Sequence, residues 1–213
     1  VYNEFTFGAP NGWSLYDPSN ITSGGAGPTF FAGTLQPSAP IYFTSGAPEG
    51  SRVAILFNYN NGGNLGAYGI EQTLTATLQA NSQYVLSVDV GNIASGVSID
   101  GTPFNLNGFP GYRVQLLAGG QVIGEDDGLI GGSIAEGEFA TRSIVVNVGA
   151  VHAQLAQSLG IRLINQNLVD NIDPLADWEV DFDDAHLTVT SVPEPSLLIK
   201  IAAFALIWYQ RRN

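Results

Sequence analysis

Tyr84-Val85-Leu86-Ser87-Val88-Asp89-Val90 decides the fold class. In an extended chain Tyr84, Leu86, Val88 and Val90 fall on one side while Ser87 and Asp89 fall on the other. The run therefore predicts a strand with one buried face. Working outward, the same period of two recurs. Tyr112 to Leu117, then Ala118-Gly119-Gly120, then Gln121 to Gly124 read as a hairpin with a glycine turn. Arg52 to Phe57, Gln72 to Leu78, Thr141 to Val148, Gly160 to Ile164 and Trp178 to Thr190 are further strand candidates. Gly, Asn, Pro and Asp clusters separate them, which predicts an all-β, antiparallel two-sheet sandwich of jelly-roll type. Within the body only Val151 to Leu159 reads as helical, with Val151, Leu155 and Leu159 four apart and Gly160 as a stop. Asn11 to Pro40 and Asn58 to Gly69 read as long loops.

At 213 residues with 45% hydrophobic content, the chain is long enough to bury one substantial core. Seven Lys and Arg stand against nineteen Asp and Glu, and before Val192 only four arginines face eighteen acids. Such a field repels nucleic acid and anionic lipid. It suits neutral sugars, divalent cations or basic partners, or simply a solvated surface. With no cysteine, disulfides, thiolate metal sites and a cysteine nucleophile are all excluded. There is no Met, so an upstream segment such as a signal peptide is expected before Val1.

After Ser191 the character changes. Pro193-Glu194-Pro195 is followed by a mostly apolar run from Ser196 to Tyr209 and by Arg211-Arg212. The expected division is therefore a sandwich over 1–191 and a tail over 192–213. The tail resembles the PEP-CTERM sorting signal, carried here by Pro193, Glu194, Pro195, the apolar run, Arg211 and Arg212. The prolines stop the last strand, the apolar run forms a short hydrophobic helix able to enter a bilayer, and the arginines stay on its cytoplasmic side. That resemblance implies export to the cell surface or extracellular space, an exosortase-type membrane transpeptidase as partner, and transient membrane contact through the tail. The body, through Ala47-Pro48-Glu49-Gly50-Ser51, Leu86 to Gly91, Tyr112 to Gly120 and Val180 to Asp184, resembles exported proteins with a galactose-binding-like, carbohydrate-module-type sandwich.

For the site, this second resemblance implies a structural Ca²⁺ held by Glu4 and Asp183, with Asp181 and carbonyls near Asn3 completing the shell. The alternative is an outward acidic face on an edge strand, with Val180 and Phe182 turned into the core. Trp13, Trp178, Tyr42, Tyr59 and Tyr68 could stack on sugar rings; Tyr59 and Tyr68, in the Asn-Gly loop, are the best placed, whereas the two tryptophans read as core. Glu125-Asp126-Asp127-Gly128 and the cluster Asp177, Glu179, Asp181, Asp183, Asp184 supply carboxylates of the kind glycosidases pair, but they read first as turn and surface. His152 and His186 lie far apart, with no nucleophile or metal spacing around them. No phosphate loop, nucleophile elbow or zinc signature occurs. The sequence is thus read as a non-catalytic surface or matrix protein that binds polysaccharide or coats the cell. A self-associating filament subunit is the alternative, and a glycan-active enzyme is the weakest reading.

Overall fold

The stretch around Tyr84 is an eleven-residue strand, Ser82–Asn92, whose buried and half-buried positions alternate along its length. The computed structural model describes residues 5–37, 41–59, 66–97, 101–128, 134–168, 173 and 175–192. In chain order the strands are β1 (Phe5–Phe7), β2 (Ser14–Tyr16), β3 (Phe30–Leu35), β4 (Val53–Asn58), β5 (Tyr68–Thr77), β6 (Ser82–Asn92), β7 (Gly96–Val97), β8 (Pro103–Phe104), β9 (Tyr112–Ala118), β10 (Gln121–Gly128), β11 (Glu138–Val148), β12 (Ser158–Asn165) and β13 (Trp178–Ser191). One sheet runs β1-β3-β4-β13-β6-β11 and the other β10-β9-β12-β5-β2, with a small β7-β8 ribbon beside them. Every pairing is antiparallel.

Between the sheets, Tyr84, Leu86, Val88 and Val90 of β6 and Val180 and Phe182 of β13 meet Ile70, Val114, Leu116, Ile161 and Leu163. Trp178 is fully buried and Trp13 packs partly buried against the same core, as their size predicts. The buried asparagine amides of this layer are paired, whereas the buried Trp178 indole N–H has no partner among the described residues. Asn58 Nδ2 donates to Asn167 Oδ1 at 2.6 Å, and Asn165 Nδ2 donates to Leu56 O at 3.0 Å and to the Tyr68 hydroxyl at 3.3 Å.

The two outer faces differ. On the five-stranded sheet, Arg162 pairs with Glu71 at 2.8 Å and Arg113 with Asp127 at 3.2 Å, while the Arg162 guanidinium lies 4.1 Å from the Tyr16 ring centroid. The six-stranded sheet carries a second apolar cluster on its outer face instead. Leu35, Val53 and Ile55 project from the strands and are covered by Tyr42, Phe43, Ile93 and Leu106 from loops.

Several local expectations change. The segment expected as a helix from Val151 to Leu159 forms tight turns and then enters β12 at Ser158: the Leu155 and Gln157 N–H groups bond back three residues, and Ala156 takes a left-handed φ of 63° and gives its N–H to Leu78 O. The stretch expected as one loop from Asn11 to Pro40 contains β2 and β3, and β5 begins inside the second expected loop. Glu125, Asp126, Asp127 and Gly128 are not a turn but the end of β10, paired with β9. The hydrophobic helix expected over Ser196 to Tyr209 lies outside the described residues. The sandwich ends with β13 at Ser191, and the Val192 N–H then donates to Asn81 O at 2.7 Å.

Candidate active site

β13 is not an edge strand. It sits between β4 and β6, so Glu179 lies beside Phe57, and Asp181 lies beside Ile55 on one side and Gly91 on the other. Strand alternation sends Val180 and Phe182 into the inter-sheet core, as expected, and sends Glu179 and Asp181 to the opposite face. That face lies under the second apolar cluster, so both carboxyls are buried, with residue exposures of 1% and 0%. Gly91 makes room for this arrangement. A Cβ there would stand 3.0 Å from Asp181 Cβ and 2.5 Å from the Phe139 ring, which lies over it. Gly33 does the same for the first strand, since a Cβ there would meet the Thr6 carbonyl at 2.1 Å.

The sheet face opens beyond Glu179 into a cleft of about 400 Å³. Its walls are rings. Along one side Phe7 meets Phe31 at 4.8 Å between centroids, Phe31 meets Phe57 at 4.9 Å and Phe57 meets Tyr59 at 6.4 Å. Along the other, Phe5 meets Tyr42 at 6.5 Å and Tyr42 meets Phe104 at 5.2 Å. Phe7 is 65% exposed and Tyr59 48%, so part of this aromatic surface is open to an incoming molecule. Ile93 and Leu106 add to the apolar lining, and Thr102, Asp177 and Glu179 supply its polar groups.

Burial dominates the electrostatics. Desolvation pushes the Glu179 carboxyl up to about 8; the neighbouring charge of Asp177 adds to this, and an interaction with Asp181 opposes it. Asp181 is held well above the usual carboxylate range, first by desolvation and then by Glu179. The two carboxyls are close enough to couple but are not aligned into a finished hydrogen bond: Glu179 Oε1 and both Asp181 oxygens lack a partner of good geometry. Among the described residues no cation pairs with either. A neutral acid is therefore kept at neutral pH against an aromatic cleft.

The expected site residues are scattered by comparison. Tyr59 lines the cleft, but Tyr68 is fully buried between the sheets with its hydroxyl on Asn165, so neither face of its ring is open to a sugar. Glu4 lies outside the described residues. Asp181 is engaged with Glu179, and Asp183 is held by the N–H groups of Glu49, at 2.8 Å, and Asp184. Among the described residues no three acidic or histidine side chains converge as a metal site; Glu4 and Asn3, which belong to the expected calcium set, lie outside them. Pro193, Glu194, Pro195, Arg211 and Arg212 also lie outside the described residues.

The HpiC1-like family model, described as HpiC1 cyclase, matches residues 1–188. The chain belongs to this cyclase family. Solved structures agree. A cyclase from Fischerella sp. TAU is 35% identical over 89% of both chains, with a TM-score of 0.74. The Stig cyclase Fisc of Fischerella sp. TAU, in complex with (3Z)-3-(1-methyl-2-pyrrolidinylidene)-3H-indole, is 34% identical over 91% of this chain and 92% of its own, with a TM-score of 0.75. A Fischerella sp. TAU cyclase in complex with 4-(1H-indol-3-yl)butan-2-one is also 34% identical, with a TM-score of 0.73. No protein of curated function matches the chain.

Membership in a family of cyclases, which are enzymes, overturns the expectation of a non-catalytic surface, matrix or filament protein. It overturns with it the PEP-CTERM resemblance and the partners drawn from it: exosortase, polysaccharide, self-association and membrane contact. The physical reason is that the body's cleft exists only once loops cover the six-stranded sheet, so no local run of the sequence displays it, whereas the tail motif is contiguous. Among the described residues no helix is long and apolar enough to cross a membrane.

Proposed function

We propose that this chain is a cyclase that closes a ring on a largely apolar, indole-bearing small molecule, with Glu179 as the proton donor. The observation that carries this is the buried Glu179 carboxyl opening onto a cleft walled by aromatic rings. The relatives crystallised with indole compounds support the substrate class, and a volume of about 400 Å³ is that of a small-molecule site.

The chemistry follows from the setting. Glu179 gives its proton to a weakly basic atom or double bond of the substrate, leaving an electron-poor carbon and a carboxylate. The electron-rich π-system of the indole attacks that carbon, the new carbon–carbon bond closes the ring, and loss of a proton back to Glu179 restores the acid. The product is an isomer of the substrate. Faces of Phe31, Phe57 and Tyr59 stabilise the cation formed midway, and exclusion of water protects it from capture.

Glu179→Gln keeps the shape of the side chain and removes the acid. Turnover of an indole bearing an alkenyl arm, followed as conversion to an isomer of equal mass, should fall roughly 10²- to 10⁴-fold. Affinity for 4-(1H-indol-3-yl)butan-2-one, measured by calorimetry, should change little. A Glu179→Gln enzyme that turns over at the wild-type rate would refute the assignment.

Two sequence expectations stand beside this as proposals. A structural calcium would be held by Glu4 and Asp183, with Asp181 completing the shell. Calcium added to chelator-treated protein should then raise Tm by mass action and fail to do so after Glu4→Gln. Location outside the cytoplasm is tested by fractionating the producing cells and detecting the chain with antibody.

A further inference from the structure

We propose that the Asn107-Gly108 link is a self-modification site, whose slow conversion to an isoaspartyl link draws Leu106 out of the wall of the aromatic cleft. The modification is independent of what the cleft binds.

The sequence contains Asn-Gly dipeptides at Asn11, Asn61 and Asn107, and Asn61 lies outside the described residues. Asn107 is exposed on the loop between β8 and β9, and among the described residues neither its side chain nor the Gly108 N–H has a hydrogen-bond partner. The Asn107 N–H donates to Asn105 Oδ1 at 3.1 Å. That bond fixes the chain before Asn107 and leaves free the rotation that brings the Gly108 nitrogen onto the side-chain amide carbon. Gly108, at a φ of 150°, adds no side chain to obstruct the approach. Asn11-Gly12 is clamped instead: the Trp13 N–H closes the turn on Pro10 O at 3.0 Å, and Gly12 O accepts from Gln72 Nε2 at 3.2 Å.

In the reaction the Gly108 nitrogen gives its proton to hydroxide and bonds to the Asn107 side-chain carbonyl carbon. The bond from that carbon to the amide nitrogen breaks, ammonia leaves with a proton returned by water, and a succinimide ring joins the two residues. Water then opens the ring. Attack at the side-chain carbonyl gives aspartate. Attack at the backbone carbonyl leaves Gly108 bonded through the side chain, so the main chain gains the methylene of residue 107. Asparagine is among the chemically labile residues, and an exposed loop gives water the access both steps require.

The extra methylene adds about 1.5 Å to the path between two anchors. On one side Phe109 is buried against Tyr112 in the inter-sheet core, and Pro110 O and Gly111 O accept the Leu168 and Gln166 N–H groups at 3.0 and 3.1 Å. On the other, Leu106 is buried in the outer apolar cluster, where it lines the cleft. Its N–H donates to the Ser95 hydroxyl at 3.0 Å, and Asn105 O accepts the Asp177 N–H at 2.9 Å. The Phe109 side runs directly into β9, whereas Leu106 hangs on bonds between loops. The slack therefore appears at Leu106.

The test ages the full chain at alkaline and at mildly acid pH, since removal of the Gly108 proton sets the rate, and treats Asn107→Gln alike. Peptide mass spectrometry should show the amide-to-acid mass change at Asn107 first at alkaline pH, split into two chromatographic forms, while the Asn11 peptide lags. The isoaspartyl form should be methylated by protein L-isoaspartate methyltransferase. Hydrogen exchange should then quicken roughly tenfold at the Leu106 and Asp177 amides of the aged wild type, as local opening of an anchored loop requires. It should stay slow in Asn107→Gln, whose longer side chain closes an imide far less readily. Freshly prepared Asn107→Asp carries the charge without the methylene and should stay slow as well. An Asn107 that survives alkaline incubation as long as Asn11 overturns the modification. Unchanged exchange in the isoaspartyl form, or equal quickening in fresh Asn107→Asp, overturns its effect on the cleft wall.

Discussion

Replacing Glu179 with Gln should change how folding stability depends on pH, whether or not any substrate is turned over. In the folded chain the Glu179 carboxyl is raised from 4.5 to about 8, chiefly by burial. The folded state thus holds a proton that the unfolded chain releases in the interval between those values. Over that interval the unfolded state binds fewer protons, so the free energy of unfolding falls with rising pH by about 1.4 kcal/mol per unit. Stability from this group is complete below about pH 4.5, declines through the interval and levels off above about pH 8. Its total is on the order of 5 kcal/mol, a large share of the stability of an ordinary domain. Asp181, raised for the same reason, acts in the same direction. Gln cannot ionise, so the variant should lose most of this slope while matching or exceeding the wild type above pH 8. Urea denaturation followed by tryptophan fluorescence at half-unit steps from pH 5 to pH 9 measures it. Parallel curves for the two proteins would refute the claim that Glu179 is buried as a neutral acid.

Wild-type turnover should fall about tenfold per pH unit once pH rises above about 8, since only the protonated Glu179 donates; stopped assays across pH 6 to 10 check this. Phe57→Leu removes the ring that links Phe31 to Tyr59 while keeping apolar volume, and should weaken binding of 4-(1H-indol-3-yl)butan-2-one about two- to tenfold, measured by calorimetry. Gly91→Ala drives a methyl into the Phe139 ring and against Asp181, and should lower stability by about 1–3 kcal/mol in a denaturant melt, with turnover reduced as well.

The sandwich was legible because its evidence is local. Tyr84, Leu86, Val88 and Val90 alternate along one strand and all four are buried in the inter-sheet core. The Gly119-Gly120 turn joins β9 and β10 where the spacing predicted it. The failures are those where a local pattern competes with a distant partner. Val151, Leu155 and Leu159 have helical spacing, but Leu159 is claimed by β12 and Ala156 by a bond to Leu78 O, so the turns never propagate. Asp127-Gly128 has the composition of a turn, yet Arg113 across the pairing holds Asp127 in a strand.

The active cleft was hidden for a different reason. Alternation along Trp178 to Phe182 correctly separates Trp178, Val180 and Phe182 from Glu179 and Asp181, but a period of two reports only that two residues share a face. It cannot report what covers that face. Three acids at alternate positions read as solvated because solvent is the ordinary cover for carboxylates. Here the cover comes from Tyr42, Phe43, Ile93 and Leu106, in loops that carry no strand period to show which face they close. The usable signal was present but distributed: Phe5, Phe7, Phe31 and Phe57 occupy the supposedly outward positions of β1, β3 and β4, where a solvated face would carry polar groups. An outward aromatic stripe on several strands means that the face is covered or is a site, and acids within that stripe inherit its burial. Taken together, the stripe and the Glu179-Asp181 pair turn an apparent charge cluster into a neutral acid, which is the property ring closure by protonation requires.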